Sequence, residues 1–348
     1  MGVTIRDVAK AARVSQAAVS RVLGRPNGST TVRVGADTRR RILTTARRLG
    51  YSTNVLAQGL RQGKTRTIGL ILESIGIEVS TQKAGAVEEQ ARLNGYRVFT
   101  CYHDAKVELE AADVGDLVAR QVDGLIVFPV FSAGPGETDH YRRLAERNFP
   151  LVVFYGELPF PVHLVNVDNV YGGLVAVRHL VQIGRKRLAF IGGNPAYSSI
   201  RERIAGWKQG CEEAGLAFES MPFMGFDWDI AEEAGYQMCR NLIRSTEFDG
   251  LVVSNDLVAL GALKALTDCG KRVPEDVAVV GFDDNRFGAY LPVPLTTVRQ
   301  PTREVGETAF RLLLQKMEDP GMAAQRVLLK PTLVVRQSTM VARRGVEV

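Results

Sequence analysis

The sequence lacks the compact motifs that usually carry catalysis or metal binding. It has no HExxH pattern and no GxSxG pattern, and its four histidines are not spaced as metal ligands. Its four cysteines form no CxxC pair, so we expect small buried thiols in a reducing cytosol, without disulfides. These cysteines are Cys101, Cys211, Cys239 and Cys269. We therefore expect no enzymatic activity, no cofactor and no metal.

Long apolar runs are also absent. No stretch approaches the roughly 20 residues that a helix needs to span a bilayer. Residues 1–10 contain no apolar core of an export signal. We therefore expect a cytoplasmic protein without membrane contact. With 348 residues, 45% hydrophobic and 24% charged, the composition is that of an ordinary soluble chain of two or three domains.

Acidic residues are scarce in the first part of the chain. Residues 1–66 contain fourteen Lys and Arg residues but only Asp7 and Asp37, which gives a formal charge of +12. Residues 67–348 hold 30 basic and 36 acidic residues, a formal charge of −6. A short basic segment is typical of nucleic-acid binding, because cationic side chains release the counterions condensed on phosphates. A solvated basic arm is the alternative, and the folded pattern of this segment argues against it.

The pattern of residues 4–23 predicts a helix-turn-helix. Thr4 and Asp7 have the spacing of a capping box, and apolar residues then recur with the helical period. Ser15 is placed to cap a second helix over 16–23, whose first turns would enter the major groove of DNA. There Arg can pair with guanine and Gln with adenine. The expected core residues are Ala9, Val14 and Val19. The side chains expected to be exposed on the second helix are Gln16, Ala17, Ser20 and Arg21.

Three segments are predicted for the chain as a whole. Residues 1–50 form the DNA-binding domain, which includes a third, arginine-rich helix over 36–49. Residues 51–66 form a short hinge helix and a polar linker. Residues 67–348 form a larger body.

The body alternates short apolar runs with helical segments, which is typical of parallel sheets covered on both faces by helices. The sequence VDGLIV at 122–127 resembles FDGLVV at 248–253, so we expect two α/β lobes with a ligand cleft between them. Gly95, Gly184, Gly215 and Gly270 are expected to end helices. The predicted strands are 68–72, 98–102, 125–127, 151–154, 188–191, 251–253 and 277–281.

With these motifs the chain resembles the lac repressor family of bacterial regulators. In the head the resemblance is carried by residues 3–23, by Tyr51-x-x-Asn54 and by Ala57-x-x-Leu60. The body resembles the effector domain of that family, which is similar to periplasmic sugar-binding proteins. Its matching stretches are 167–172, 179–184, 190–193, 203–206, 255–256, 280–284 and 295–301. The resemblance implies three crossings of the chain between lobes, near 166–168, 295–300 and 328–331.

The resemblance also implies residues for DNA binding. Gln16, Ala17 and Arg21 would read bases, and Leu60 would wedge into the minor groove and kink the site. Two departures from the family pattern are the longer connection at 24–35, which either adds phosphate contacts or is a plain loop, and Thr53 in place of proline in the hinge. The remaining expected DNA contacts are Thr4, Ser15, Ser20, Thr38, Tyr51, Asn54 and Ala57.

For the effector site the resemblance implies Arg203, Asp283 and Asn255. An arginine opposite a carboxylate suits a polyol, because one offers donors and the other acceptors. Trp228 either stacks on a sugar ring or packs in the body, since Ile230 occupies the family's aromatic position. The loop 73–78 lacks the usual Asn-Pro-Phe, which leaves the ligand class open. Further candidates are Tyr155, Ser199 and Gln300.

The sequence therefore predicts a transcriptional repressor that binds a near-palindromic operator as a homodimer and responds to a sugar or sugar derivative. It leaves open dimer or tetramer, inducer or corepressor, and control by a nucleobase or a protein partner. The competing classes are a sugar-binding receptor module and an α/β enzyme. The basic head argues against the first, and the missing catalytic motifs argue against the second.

Overall fold

The computed structural model describes residues 3–23, 34–51, 64–130, 138–156, 158–195, 197–218, 223–225 and 231–340. The chain divides into two compact units, a head of Met1–Arg66 and a body of Thr67–Val348. Within the described residues, no helix is both long enough and apolar enough to cross a membrane.

The head is a small three-helix unit. Helix α1 spans Ile5–Ala12, α2 spans Gln16–Leu23 and α3 spans Ala36–Arg48. The predicted capping box is confirmed, because the Asp7 amide donates to Thr4 Oγ1 and the Thr4 amide donates to Asp7 Oδ2. Of the expected core residues, Ala9 and Val19 are buried, whereas Val14 is only half-buried because it lies in the turn. The buried side chains of the head core are Val8, Ala9, Ala12, Val19, Val22, Ile42 and Ala46.

The body contains two sheets with helices on both faces. Its strands are β1 Thr67–Leu72, β2 Arg97–Tyr102, β3 Gly124–Val127, β4 Leu151–Phe154, β5 His163–Val167, β6 Leu188–Ile191, β7 Phe223–Met224, β8 Gly250–Val253, β9 Ala278–Asp283, β10 Thr296–Arg299, β11 Arg326–Leu329 and β12 Thr332–Val334. Its helices are α4 Glu78–Leu93, α5 Val107–Ala119, α6 Asp139–Glu146, α7 Asn169–Gln182, α8 Ser198–Glu213, α9 Ala231–Ser245, α10 Asp256–Asp268 and α11 Thr302–Glu318.

The first lobe is built on a sheet with the order β11-β5-β4-β3-β1-β2, and the second lobe on a sheet with the order β12-β10-β9-β8-β6-β7. Neighbouring strands pair in parallel except β10 and β12, which are antiparallel. The apolar strands are buried between two helix layers in each lobe, α4 with α11 and α5 with α6 in the first, α7 with α8 and α9 with α10 in the second. This confirms the predicted fold class, with one antiparallel edge strand in addition.

The chain passes between the two sheets three times. It leaves the first sheet after β5 at Val167, returns after β10 at Arg299 to form α11, and leaves again between β11 and β12. In a doubly wound sheet the strand order reverses at one point, and ligands bind outside the carboxyl ends of the strands there. That point lies between β1 and β3 in the first lobe and between β6 and β8 in the second.

The predicted strands are all present, with bounds within two residues of those expected. The four glycines expected to end helices all have positive φ angles, between 70° and 88°. The expectation of buried cysteines is wrong for two of the four. Cys211 and Cys239 are buried, but Cys101 is half-buried on the edge strand β2 and Cys269 is exposed where α10 ends.

Candidate functional sites

The second helix of the head presents the predicted base-reading side chains to solvent. Ser15 Oγ accepts the Ala18 amide at 3.2 Å, which caps α2 at its start. Val19 and Val22 face the core, so the opposite face of the helix is free for another molecule. The exposed residues of that face are Gln16, Ala17, Ser20 and Arg21.

The other candidate DNA contacts fall into two groups. Thr4 is exposed, but its hydroxyl bonds Asp7 at 2.7 Å, and Thr38 and Tyr51 are half-buried. Asn54, Ala57, Leu60, Thr53 and residues 24–33 lie outside the described part of the chain, as do Trp228 and Ile230 of the body.

In the body, the predicted Arg203 and Asp283 lie together. Arg203 Nη2 is 3.7 Å from Asp283 Oδ1, and both side chains are close to fully buried. The Arg203 guanidinium stacks on the Phe282 ring at 3.6 Å and donates to the Ser254 carbonyl. This arrangement fixes the guanidinium plane at the carboxyl ends of β8 and β9.

Gln300 and Tyr155, both predicted, extend the pair toward the first lobe. Gln300 Nε2 donates to Asp283 Oδ1 at 2.6 Å, and its Oε1 accepts the Tyr155 hydroxyl at 3.1 Å. The same Oε1 accepts Lys83 Nζ at 2.9 Å. We call Lys83, Tyr155, Arg203, Asp283 and Gln300 the interlobe network, because its members belong to both lobes.

The Nε side of the Arg203 guanidinium is held by Asn169, a residue that was not predicted from the sequence. Arg203 Nε donates to Asn169 Oδ1 at 3.1 Å, and Asn169 Nδ2 donates to Glu202 Oε2 at 2.9 Å. Asn169 begins α7 directly after the chain leaves the first lobe. Arg203 is thereby tied to the crossing segment as well as to Asp283.

Strained backbone supports two members of the network. Tyr155 has a φ of 61° and Asp283 a φ of 115°, in the region that favours glycine. Strain of this kind persists only where surrounding contacts hold it, and it clusters at ligand sites. Two residues after Asp283, the Asn285 amide donates to Asp256 at 2.7 Å, and Thr297 Oγ1 donates to the same carboxylate at 2.6 Å, which ties down the backbone that follows β9.

Burial dominates the electrostatics of this site. Desolvation raises the pKa of Asp283, and the neighbouring Arg203 charge only partly opposes that shift. Desolvation and the Asp283 charge raise the pKa of Asp256 well above its ordinary value. Burial lowers the pKa of Lys83 to about 7, against the charges of Glu73 and Asp283. The site therefore holds its charges at a high free-energy cost.

Two predicted effector residues have other surroundings. Asn255 is buried, and its side-chain oxygen accepts the Val258 amide at 2.8 Å, so it caps α10. Ser199 is half-buried in the first turn of α8. The adjacent Asp284 faces away from the network, since it pairs with Arg299 and Arg336, each at 2.6 Å.

Two surface cavities lie away from the interlobe network. One of about 450 Å³ is lined mainly by residues 273–275 and 291–294, and one of about 320 Å³ lies between α6 and the end of α11. Neither is lined by a member of the network.

Family models match both the head and the body of the chain. Residues 4–54 match the model for bacterial regulatory proteins of the lacI family, and residues 177–339 match a periplasmic binding protein-like domain. The ribose operon repressor of Halalkalibacterium halodurans is 32% identical over 97% of this chain and 97% of its own length.

Solved structures give the same result. The lac repressor dimer bound to operator and the anti-inducer ONPF is similar with a TM-score of 0.86 at 28% identity, covering 98% of this chain and 100% of that chain. The complex of transcriptional regulator CelR with cellobiose has a TM-score of 0.71 at 28% identity, covering 97% and 99%. Likeness sustained along nearly the whole of both chains shows that the protein belongs to the lacI family of bacterial regulatory proteins, as a DNA-binding transcriptional regulator with a ligand-binding body.

Proposed function

We propose that this protein is a repressor that binds a near-palindromic operator as a homodimer and is controlled by a polyol effector bound at the interlobe network. The carrying observation is the Arg203–Asp283 pair, which is buried at the carboxyl ends of strands and joined through Gln300 to the other lobe. A guanidinium beside a carboxylate offers fixed donors and acceptors to neighbouring hydroxyls. The ribose operon repressor and the CelR–cellobiose complex support a carbohydrate as the effector.

The proposed mechanism is a shift between two lobe arrangements. Gln300 connects Asp283 with Tyr155 and Lys83, so a ligand that replaces one of these bonds changes what holds the lobes together. The effector then favours one arrangement only to the extent that it binds that arrangement more tightly. Coupling of this kind is typically about 1–3 kcal/mol, and operator DNA must change effector affinity by the same factor as the effector changes operator affinity.

The dimer is supported by the outer edge of the first lobe. Strand β2 is the last strand of its sheet, and every one of its residues is exposed or half-exposed. Phe99 and Tyr102 are exposed on it, and Leu93 at the end of α4 is 66% exposed. An exposed sheet edge that carries aromatic side chains favours pairing with another copy, and the lac repressor structure is that of a dimer.

The operator is tested by selecting binding sites from random DNA with the full-length protein. We expect an inverted repeat, because a two-fold dimer presents two α2 helices to adjacent half-sites. Arg21→Ala should cost roughly 1–3 kcal/mol and relax one position of each half-site. Arg48→Ala removes the same charge from α3 and should weaken binding to all sequences alike. An asymmetric motif, or equal effects of both variants on every sequence, would contradict the proposal.

The effector site is tested with Arg203→Ala, measured by release of operator DNA during titration with carbohydrates. We expect the response to be lost, because the donors that face Asp283 are gone. Arg203→Lys keeps the charge without the planar fork and should respond only weakly. Arg187→Ala, at an exposed arginine that pairs with Glu247 at 2.7 Å, is the matched control and should respond fully. A full response by Arg203→Ala would place the effector elsewhere.

A further inference from the structure

Lys83 differs from the other charged members of the interlobe network. Arg203 and Asp283 lie 3.7 Å apart and neutralise each other. Among the described residues, by contrast, no carboxylate oxygen lies within 4.0 Å of Lys83 Nζ. Its only hydrogen bond within that part of the chain is the one to Gln300 Oε1 at 2.9 Å. An ammonium has three donors, so two of them are left for another molecule.

The surroundings of Lys83 make this a costly arrangement. The side chain is fully buried, with Nζ 4.4 Å from the centre of the Tyr155 ring and 5.7 Å from that of Phe128. Aromatic faces attract a cation, but they replace only part of the hydration that burial removes. A buried cation without a contacting anion is a candidate for a functional residue, because a bound ligand can compensate the free-energy cost of its desolvation.

The position of Lys83 is also that of a ligand contact. Phe128 directly follows β3, Tyr155 follows β4 and Gln300 follows β10, so the ammonium lies where strands of both lobes end. Gln300 joins it to the Arg203–Asp283 pair through bonds of 2.9 Å and 2.6 Å. A small molecule seated here would meet the ammonium at one end and the arginine–carboxylate pair at the other.

We propose that Lys83 binds a carboxylate on the effector, so that the effector is a sugar acid and not a neutral sugar. This proposal rests on the polyol site proposed above and names its ligand class. One ammonium matches one negative charge, and Glu73 is a further negative charge near Lys83, whereas that of Asp283 is balanced by Arg203. A singly charged carboxylate therefore fits better than a phosphate dianion, which the Glu73 charge would repel more strongly.

The first test compares matched pairs of ligands on the full-length protein by calorimetry and thermal shift. The pairs are glucuronate with glucose, galacturonate with galactose, and gluconate with glucitol, and glucose 6-phosphate is the phosphate arm. We expect at least one acid to bind about 10- to 100-fold more tightly than its neutral partner, the range for a charge-assisted hydrogen bond. Lys83→Met should remove that preference, and Lys264→Met, at an exposed lysine on α10, should keep it.

The second test uses pH. The free protein loses the Lys83 proton near pH 7, because burial lowers its pKa to about 7. An anion at Nζ stabilises the ammonium, so binding above pH 7 should take up a proton, which calorimetry detects in buffers of different ionisation enthalpy. Affinity for the acid should fall by up to about tenfold for each pH unit above 7. Lys83→Arg stays charged and should abolish this fall.

The outcomes separate the two proposals. Equal affinities for acid and neutral partners, unchanged in Lys83→Met, would overturn the sugar-acid assignment and leave the polyol site in place. If glucose 6-phosphate bound more tightly than every sugar acid, the assignment of a carboxylate to the effector would be overturned. Absence of binding by all these compounds, together with a full operator response of Arg203→Ala to carbohydrate, would overturn the polyol effector as well.

Discussion

At the scale of the residue, the interlobe network shows how burial decides which charge needs a partner. Arg203 donates to Asn169 and to the Ser254 carbonyl and has the Asp283 carboxylate as its counter-charge. Lys83 has one acceptor and two aromatic faces. Burying Lys83 therefore lowers the stability of the folded protein, because the lost hydration of an ammonium without a contacting anion remains largely uncompensated.

Lys83→Met should therefore stabilise the ligand-free protein. Burial lowers the Lys83 pKa from 10.5 to about 7. Below pH 7 Lys83 is charged in both states, and its charge is better hydrated in the unfolded chain. The full destabilisation by the buried ammonium is therefore present there. Between pH 7 and 10.5 the folded lysine is neutral and the unfolded one still charged, so wild-type stability rises relative to the variant. We expect a gain of about 1–4 kcal/mol near neutral pH that shrinks toward pH 10.

Urea unfolding of the body at about pH 6.5, 8 and 9.5 measures this gain. Gln300 Oε1 keeps the Tyr155 hydroxyl as a donor, so the variant leaves no new unpaired group there. Lys264→Met, at an exposed side chain, should show no comparable gain. A variant less stable than wild type at every pH would mean that the ammonium is a net stabiliser.

At the scale of the element, close helix packing places Arg203. Helices α7 and α8 cross so tightly that a Cβ at Gly206 would lie 2.0 Å from the Val170 carbonyl oxygen. Arg203 lies one turn before Gly206 on α8, and its partner Asn169 begins α7. The motif Arg203-x-x-Gly206 thus joins the proposed effector contact to the close packing that fixes its helix.

Gly206→Ala should move these helices apart and cost about 1–3 kcal/mol of stability. Because Arg203 moves with its helix, effector affinity should fall too. Gly115→Ala in α5 has no atom within 4 Å of the new Cβ and should stabilise by roughly 0.5–1 kcal/mol. Thermal unfolding and effector titration check both variants. Unchanged effector binding in Gly206→Ala would separate helix packing from the site.

The sequence predicts strands well where all their residues are apolar. Continuous apolar strands such as Leu188–Ile191 have the predicted bounds. Strands β5 and β10 were not predicted, because buried polar residues such as Asn166 and Thr296 interrupt their apolar pattern. The role of Lys83 could not be predicted from the sequence around it. Its neighbours along α4 do not reveal that its side chain bonds Gln300, more than 200 positions away. Asn255 stays a predicted ligand contact, and the structure adds a second role that the residue type alone does not reveal, because its side-chain oxygen caps α10.

At the scale of the whole molecule, the dimer proposed above pairs through the β2 edge. Phe99→Asp should weaken the dimer about 10- to 100-fold, because it replaces apolar contact area with a charge. Sedimentation equilibrium measures the dimer dissociation constant. The fraction of operator bound should also rise more steeply with protein concentration, because dimerisation then becomes part of the binding equilibrium. Leu328→Asp is the matched control, since Leu328 is 48% exposed on β11 at the opposite edge of the same sheet. A dimer disrupted only by Leu328→Asp would move the interface to the other edge.

In the proposed dimer, the β2 edge would also limit how scarce this regulator can become in a cell. A six-residue strand edge with exposed aromatic side chains can accept any extended chain of similar pattern, including a nascent one. Dilution below the dimer dissociation constant therefore exposes each copy to misassembly and proteolysis. We then expect protein quality control, more than operator occupancy, to set the smallest useful copy number. A weakened dimer would disappear from the cell before its loss of repression was complete.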